Sequence, residues 1–580
     1  MAGQTIELEN VIDVDHMATQ IASRWQEWTS LRQNKVDEWK ELRNYLYATD
    51  TRTTKNAMLP WSNSTTTPKL TQIMDNLHAN YFATLFPQKR WFKFEANSRE
   101  ANVKYKRDTV QAYMENKVAA SDFENTASDL LYDYIQYGNC FATVTWEEGY
   151  QTKKDNSLVV NYIGPRAVRI SPFDIAFNPA ASSFEKSPKI IRSVKTLGEI
   201  SKMVKDDPSK TYMKEVFSKM MSARAAIRGS DAQHKADGYI ADGFSSIEEY
   251  YGSDYVEILT FYGDYFDETE GKLYEDRIIT IVDRAYVMAN EENPSYLGHA
   301  SIFHAGWRPR PDNLYAMGPL DNLVGMQYRI DHLENLKADV FDQIAYPILK
   351  IRGDVEDFDF SPAERIYLGE EGDVGYLAPD TTALNADFQI QTLENKMEEM
   401  AGAPRQAMGI RTAGEKTAFE VQSLQNAASR IFEHKTAHFE RVFLEPLLNA
   451  MYEVSVRKMN MADVIRVFDS ATNATIFRSI TKDDITATGK IVPVGARHFA
   501  ERARRVQSLT QLYQLKLADP TVAAHMSGKE FARILAEELG EPTLFSENIS
   551  VQEQLETQQQ VQEAEMENQE MLSQQQELGL

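Results

Sequence analysis

Gly318-Pro319-Leu320-Asp321-Asn322 begins a run in which apolar side chains recur at 320, 323, 324, 330, 333, 336, 340, 341 and 344. Steps of three and four residues place them on one stripe of a helix that buries a single face. Pro319 suits the first helical turn, and Asp321 complements the positive end of the helix dipole. Pro347 ends the run after Ala345-Tyr346, because its ring cannot donate a backbone hydrogen bond and clashes with the preceding turn. At about 1.5 Å per residue the rod is roughly 40 Å long. A short extended segment, a second helix and a loop of small residues follow. Near Thr417 a very long helix begins, its stripe running through Phe419, Val421, Leu424, Ile431, Phe439, Val442, Leu447 and Met451. Thr417-Ala418-Phe419-Glu420 is a capping box, with hydroxyl and carboxylate each satisfying an orphan amide. Pro446 falls inside this pattern and predicts a kink rather than a stop. Single-domain enzymes seldom need two such rods in succession; a machine with a shaft does.

A chain of 580 residues exceeds one core and predicts three or more packed regions. Its 42% hydrophobic and 26% charged content is that of a folded protein, and 27 Tyr with 27 Phe suit large subunit interfaces as well as cores. Cys140 is the only cysteine, so no internal disulfide forms and a buried small hydrophobe is the expectation. With the nearest histidine in sequence at His78, nucleophilic catalysis by Cys140 is not expected. The acidic start lacks a signal-peptide pattern, and no run of about 18 apolar residues exists. A soluble protein made in a reducing cytoplasm is therefore expected. The net charge of −24, from 62 basic and 86 acidic residues, argues against a conventional nucleic-acid binder. It is compatible with a surface past which DNA slides without sticking.

Residues 16–48 read as one amphipathic helix with Ile21, Trp25, Trp28, Leu31, Trp39, Leu42 and Leu46 along one side; docking on the protein's own core is the expected use of its three Trp. Pro68 opens a helix that runs to Phe86, and 99–137 is again helical. Strands are expected at 141–146, 158–163, 256–262 and 277–287, with helices near 196–228. Residues 463–493 read as short strands, and 494–516 as a helix bearing Arg497, Arg502, Arg504 and Arg505. After Arg533 there is no Lys or Arg, and 552–580 is mostly Gln and Glu, a tail expected to be largely unfolded on its own. The fold class is α+β, predominantly helical.

Several apparent chemical motifs fail. Gly409-Ile-Arg-Thr-Ala-Gly414-Glu415-Lys416-Thr417 resembles a P-loop, but Glu415 displaces the lysine and sets a carboxylate where phosphates would lie. His434 and His438 stand one turn apart without the glutamate of the HExxH pattern or a third ligand. Asp354, Asp357 and Asp359 do not follow the EF-hand order. No pair of catalytic carboxylates or nucleophile elbow stands out, and no cofactor or metal is expected.

The order of local motifs carries a resemblance. Pro87-Gln-Lys-Arg-Trp-Phe follows the second helix, and Tyr137-Gly-Asn-Cys opens strands. Ile170-Ser-Pro-Phe-Asp-Ile-Ala-Phe-Asn-Pro closes them, and Met317-Gly-Pro-Leu-Asp-Asn starts the long helix. Glu399-Met-Ala-Gly-Ala-Pro precedes Gly409 to Thr417, and Gly489-Lys-Ile-Val-Pro-Val-Gly-Ala-Arg leads back into helices. Over roughly residues 16–535 the chain resembles the portal proteins (head-to-tail connectors) of tailed double-stranded DNA bacteriophages, most of all the podovirus type. Each motif is weak alone; their order together is fairly specific.

That resemblance implies a ring, usually of twelve copies, at one capsid vertex, with a central channel for packaging and ejecting DNA. It implies an N-terminal helix region at 1–49, a wing at 50–315, stem helices at 316–345 and 387–402, and a clip at 346–386. A tunnel loop would occupy 403–416, a long kinked helix 417–456, wing return strands and a helix 457–518, and a crown with the Gln/Glu-rich tail 519–580. Arg405, Arg411 and Lys416 become the candidates for touching DNA, although exposed cations among so many acids also pair readily. Asp354, Glu356 and Asp357 become candidates for docking partners at the clip. Arg502, Arg504 and Arg505 would form a basic face near the crown, or simply a solvated helix face. The implied partners are further copies of the chain, the terminase large subunit, a tail adaptor, the major capsid and scaffolding proteins, and double-stranded DNA bound without sequence preference; no membrane is involved. The implied location is the virion's portal vertex after synthesis in the host bacterial cytoplasm. Such a protein is not an enzyme. The alternatives are another phage structural or adaptor protein, or a nucleotide-dependent enzyme using the imperfect P-loop at 409–417.

Overall fold

The structure is a computed structural model. It describes residues 15–47, 65–86, 91–96, 103–152, 158–206, 211–228, 254–267, 271–293, 302–345, 348–353, 367, 373–377, 381–401, 432, 434–460, 463–469 and 474–493. The fold is a mixture of helix and strand of the α+β kind. The chain divides into two compact units, one of residues 1–461 with 482–493 and one of 462–481 with 494–580.

The first unit opens with α1 (His16–Leu31) and α2 (Gln33–Tyr47). The sequence predicts one helix here, and the break at Arg32 has no glycine or proline behind it. Its cause is tertiary. The buried Arg32 guanidinium donates to the carbonyls of Pro172, Phe173 and Ile175, a clamp that fixes Arg32 between the two helices. The three Trp consequently serve two cores: Trp25 and Trp28 enter one, Trp39 another.

Next come α3 (Lys69–Leu85), β1 (Phe92–Ala96), α4 (Val103–Ala120) and α5 (Phe123–Gln136). The single helix expected over 99–137 breaks at Ser121-Asp122, where Asp122 has φ +57° and αL geometry ends one helix before the next begins. The hairpin of β2 (Asn139–Thr152) and β3 (Leu158–Ile170) joins β9 (Ile302–Gly306) in a three-stranded antiparallel sheet, with β2 in the centre.

An antiparallel five-stranded sheet runs in the order β4 (Ile175–Phe177), β5 (Lys189–Thr196), β6 (Tyr255–Asp267), β7 (Lys272–Val282), β8 (Tyr286–Glu292). Both faces are covered. Val256 and Ile258 meet α6 (Leu197–Asp206) and α7 (Thr211–Arg228), whereas Leu259 and Phe261 meet α1. Period-two alternation sorts these side chains between the faces, and helices on both sides explain why the strands are apolar on each. The expected strand 277–287 is in fact two, turning at Asp283-Arg284.

Beyond β9 the chain makes a small hairpin, β10 (Arg308–Arg310) with β11 (Asn313–Met317). A 3-10 turn at Asp321–Leu323 then leads into α8 (Val324–Ala345). The helix thus starts after Pro319, and its α-helical part is about 33 Å long. The hairpin β12 (Ile348–Arg352) and β13 (Asp373–Leu377) and the returning α9 (Asp387–Ala401) complete a helix–hairpin–helix unit. Further on, helix 434–439 passes through a π-turn at Glu440–Leu444 into α10 (Glu445–Lys458), with Pro446 in its first turn. The widened turn accommodates the proline without ending the helix.

After α11 (Lys482–Ile485), β16 (Gly489–Pro493) pairs with β1, and Asn449 of α10 bonds both the N–H and the carbonyl of Ile491. In the second unit, β14 (Asp463–Asp469) and β15 (Ala474–Ile480) form an antiparallel hairpin. The helix expected at 494–516 and the Gln/Glu-rich tail lie outside the described residues.

Candidate assembly surface

Three of the quoted motifs converge where α8 is launched. Asn139 is fully buried, and its amide does the work of a strand neighbour. Its Nδ2 donates to the carbonyls of Tyr137 and Ala316 at 2.9 Å, while its Oδ1 accepts the Ala316 N–H at 2.9 Å. Gly138, at φ +67°, lies against Gly318, so that a Cβ at 138 would overlap the backbone there; only glycine fits both demands. Asp321 Oδ2 accepts the Gly318 N–H at 3.0 Å and pairs with Lys35 of α2 at 2.6 Å. The Arg32 clamp holds the third motif, residues 170–179, and the Pro179 carbonyl accepts the Leu314 N–H. Trp39 packs edge-on against Tyr137, Phe173 and Tyr315 at 5.6–5.9 Å, one ring from each of the three segments. The start of α8 is thereby fixed from three sides.

The first half of α8 is anchored by a row of buried polar side chains. Gln327, Asp331 and Asn335 lie one turn apart and all are buried. Asn335 exchanges hydrogen bonds with the N–H and carbonyl of Thr65 at 2.9 and 3.0 Å, and Asp331 accepts the Thr67 N–H at 2.9 Å. Gln327 donates to the Thr67 carbonyl at 2.6 Å and to Asp331 at 2.8 Å, and accepts the Leu70 N–H, an otherwise orphan donor at the start of α3, at 3.3 Å. The match is geometric. Four helical residues rise about 6 Å and two extended residues about 6.6 Å, so a helix can read alternate residues of an extended segment. Lys69 then reaches Glu398 of α9 at 2.6 Å, a pair with both partners buried, so the segment 65–70 holds both long helices.

Burial pushes the Asp331 carboxyl up to about 7, against the opposing pull of the Thr67 N–H and Gln327. An acid raised in the folded state stabilises that state most fully below its unfolded pKa, near 4, and the contribution is lost as pH rises through about 7. Asp331→Asn keeps the acceptor for Thr67 and removes the titration. Between pH 5 and 8 the melting temperature of wild type should therefore fall relative to that of the variant; parallel curves would show that Asp331 does not titrate in this range.

The outer half of the helix–hairpin–helix unit is built differently. Phe341 is 55% exposed, Ile344 44% and Phe388 79%, and on the hairpin Ile351 and Tyr376 are 54% and 62% exposed. Ile351 and Tyr376 share a face, since Ile351 pairs with Val374 and Tyr376 with Leu349. The stripe predicted for this helix is therefore buried at Leu320, Leu323, Ile330 and Leu333 and uncovered at Phe341 and Ile344. Lys337 of α8 ties the two helices through Asp387 at the start of α9 and also pairs with Glu334 one turn back on its own helix. Large apolar side chains left exposed are candidate points of contact with another surface.

All nine candidate site residues fall outside the described residues: Arg405, Arg411 and Lys416; Asp354, Glu356 and Asp357; Arg502, Arg504 and Arg505. The P-loop-like stretch 409–417 falls outside as well. Cys140 is fully buried in β2, where burial raises its thiol well above the usual range. Among the described residues no cluster of three metal-binding side chains forms, and no helix is long and apolar enough to cross a membrane. The polar row on α8 escapes a reading by apolar periodicity; its signal is Gln327, Asp331 and Asn335 at steps of four inside the otherwise buried half. No protein-family model matches the chain, and a search of curated proteins finds no match.

Proposed function

We propose that this chain is the subunit of a portal ring, a homo-oligomer of twelve copies at one capsid vertex through which double-stranded DNA is packaged and ejected. The observation that carries it is the helix–hairpin–helix unit, with its base locked by buried polar contacts and large apolar side chains left exposed on its outer half in a single chain. Contact between unlike flanks of neighbouring copies, repeated by rotation, closes a ring. In this reading α8 and α9 belong to the stem, and the β12–β13 hairpin lies at the end that meets the terminase large subunit and then the tail adaptor. Residues 50–315 form the wing, beside the major capsid and scaffolding proteins. The ring supplies a conduit and docking surfaces, while a separate ATPase supplies the work.

Negative-stain electron microscopy with mass photometry on the purified protein tests this. Rings with a central channel are expected at a mass of twelve 66.2 kDa chains, about 794 kDa. Monomers or dimers at every salt concentration would reject the proposal.

A further inference from the structure

Arg32 stands between α1 and α2 with its guanidinium buried against the carbonyls of Pro172, Phe173 and Ile175. Carbonyls orient a cation but do not neutralise it, and a buried charge is ordinarily matched by an opposite one. Among the described residues no carboxylate pairs with Arg32. Two acids of this junction are committed elsewhere. Asp174, inside the clamped segment, pairs with Arg192 at 3.3 Å, and Asp321 pairs with Lys35 at 2.6 Å.

Three donors at the same junction also lack partners. Arg32 Nε, Trp39 Nε1 and Tyr315 Oη are buried and form no hydrogen bond with the described residues. The Tyr315 ring connects them, because it meets the Trp39 ring at 5.9 Å and Arg32 is the one charge that acts on its hydroxyl. The guanidinium and the phenol are thus near each other without a well-formed hydrogen bond between them. Unanswered donors beside an unanswered cation call for an acceptor that carries negative charge. We propose that the junction of α1, α2 and β11 binds a small monovalent anion such as chloride, held by Arg32, Trp39 and Tyr315. The site lies within one chain and does not require the ring.

Charge and enclosure set the class of ligand. The site offers one uncompensated positive charge, since the next cation, Arg43, stands over the Phe173 ring at 5.8 Å but is exposed. The wall is aromatic: Trp39 meets Phe173 and Tyr315, and Tyr315 stacks on Phe177 at 4.4 Å. Phosphate or sulfate would bring a second negative charge with nothing there to oppose it, at a heavy desolvation cost. A water molecule would accept from two of the three donors and leave the guanidinium unopposed. A halide accepts from all three and cancels the charge. It would also tie together the segments that meet at the base of α8, because the Arg32 clamp holds residues 172–175 and Tyr315 belongs to the strand that leads into that helix.

Thermal melting and hydrogen exchange of the full-length protein test this, with sodium chloride replacing sodium gluconate at constant ionic strength. Chloride is expected to raise the melting temperature of wild type by about 2 °C or more, along a saturating curve. Amide protection should rise across 16–47 and 171–177. Tyr315→Phe keeps the ring and removes one donor, so it should need about tenfold more chloride, or still more, for the same effect. In gluconate it should melt no lower than wild type, because the hydroxyl it loses has no partner in the protein. Tyr134→Phe is the control. Its buried hydroxyl likewise lacks a partner, but its neighbours are Tyr81 and Cys140 rather than a cation, and its chloride response should be that of wild type. Identical melting and exchange of wild type in the two salts would overturn the proposal, as would a chloride response unchanged in Tyr315→Phe. An equal loss of stability in Tyr315→Phe in both salts would overturn it in favour of a bound water. Mass photometry in each salt keeps a change of assembly from being read as anion binding.

Discussion

Replacing Lys69 by Met is expected to destabilise the region around α8 and α9 by about 3–5 kcal/mol, the loss typical when one partner of a buried ion pair is removed. Lys69 and Glu398 are each buried and 2.6 Å apart. The pair joins two parts of the chain 329 residues apart in sequence. A methionine fills the space but leaves the Glu398 carboxylate without its ammonium, in a place where solvation by water is lost. The double change Lys69→Met/Glu398→Leu removes both charges and should recover most of the loss, since well-packed apolar replacements of buried pairs are often neutral. A chain with two compact units need not unfold in one step. The measurement is therefore hydrogen exchange across 65–85 and 387–401, accompanied by thermal melting. Protection there should collapse in the single variant and return in the double one. Equal protection in all three proteins would show that Lys69–Glu398 contributes nothing to the anchor.

How much of this was legible beforehand depended on the range of the cause. The long helix was readable from its stripe, because periodicity is local, and Pro347 marked its end. Its true start was not, because the launch is set by contacts such as Asn139 with Ala316, 177 residues apart. The turn between β7 and β8 shows the same limit. Val282-Asp283-Arg284-Ala285 contains no glycine or asparagine, so 277–287 reads as one strand, yet Asp283 and Arg284 have φ of 50° and 57°. Each non-glycine residue in that region costs about 1–2 kcal/mol. The offset comes from two ion pairs, Asp283 with Arg224 of α7 and Arg284 with Glu257 of β6, both at 2.7 Å and both buried. Nothing near the turn in sequence announces those partners. The candidate site divides likewise. The motifs were visible as words, but only their meeting at the base of α8 explains why glycines stand at 138 and 318. A buried polar row is harder still, because the same four-residue step ordinarily marks a solvated face.

Phe341→Asp/Ile344→Asp is expected to abolish ring assembly while leaving the subunit folded. Both side chains lie on the last turns of α8, about half exposed in the single chain, so their replacement should cost the subunit about 1.5–3 kcal/mol from the buried halves, with the fold retained. In the proposed ring the same positions would face a neighbouring copy. Fully covering a large apolar side chain contributes about 1.5–3 kcal/mol, and about half of each is left to cover, so the two amount to roughly 1.5–3 kcal/mol per interface before the added cost of burying carboxylates. At 1.4 kcal/mol per tenfold, each subunit contact would weaken by roughly 10- to 10²-fold from the lost apolar contact alone, and further from the buried carboxylates. Closure multiplies the effect, because every interface in the ring carries it. Mass photometry should then find single subunits where wild type gives rings, with unchanged circular dichroism and a melting temperature lowered less than in the buried-face control. The control is Leu333→Asp on the buried half of the same helix, which should destabilise the subunit itself. Rings formed by the double variant as readily as by wild type would mean that the outer half of α8 is not the assembly surface. The apolar end of the helix–hairpin–helix unit would then have to meet a different protein.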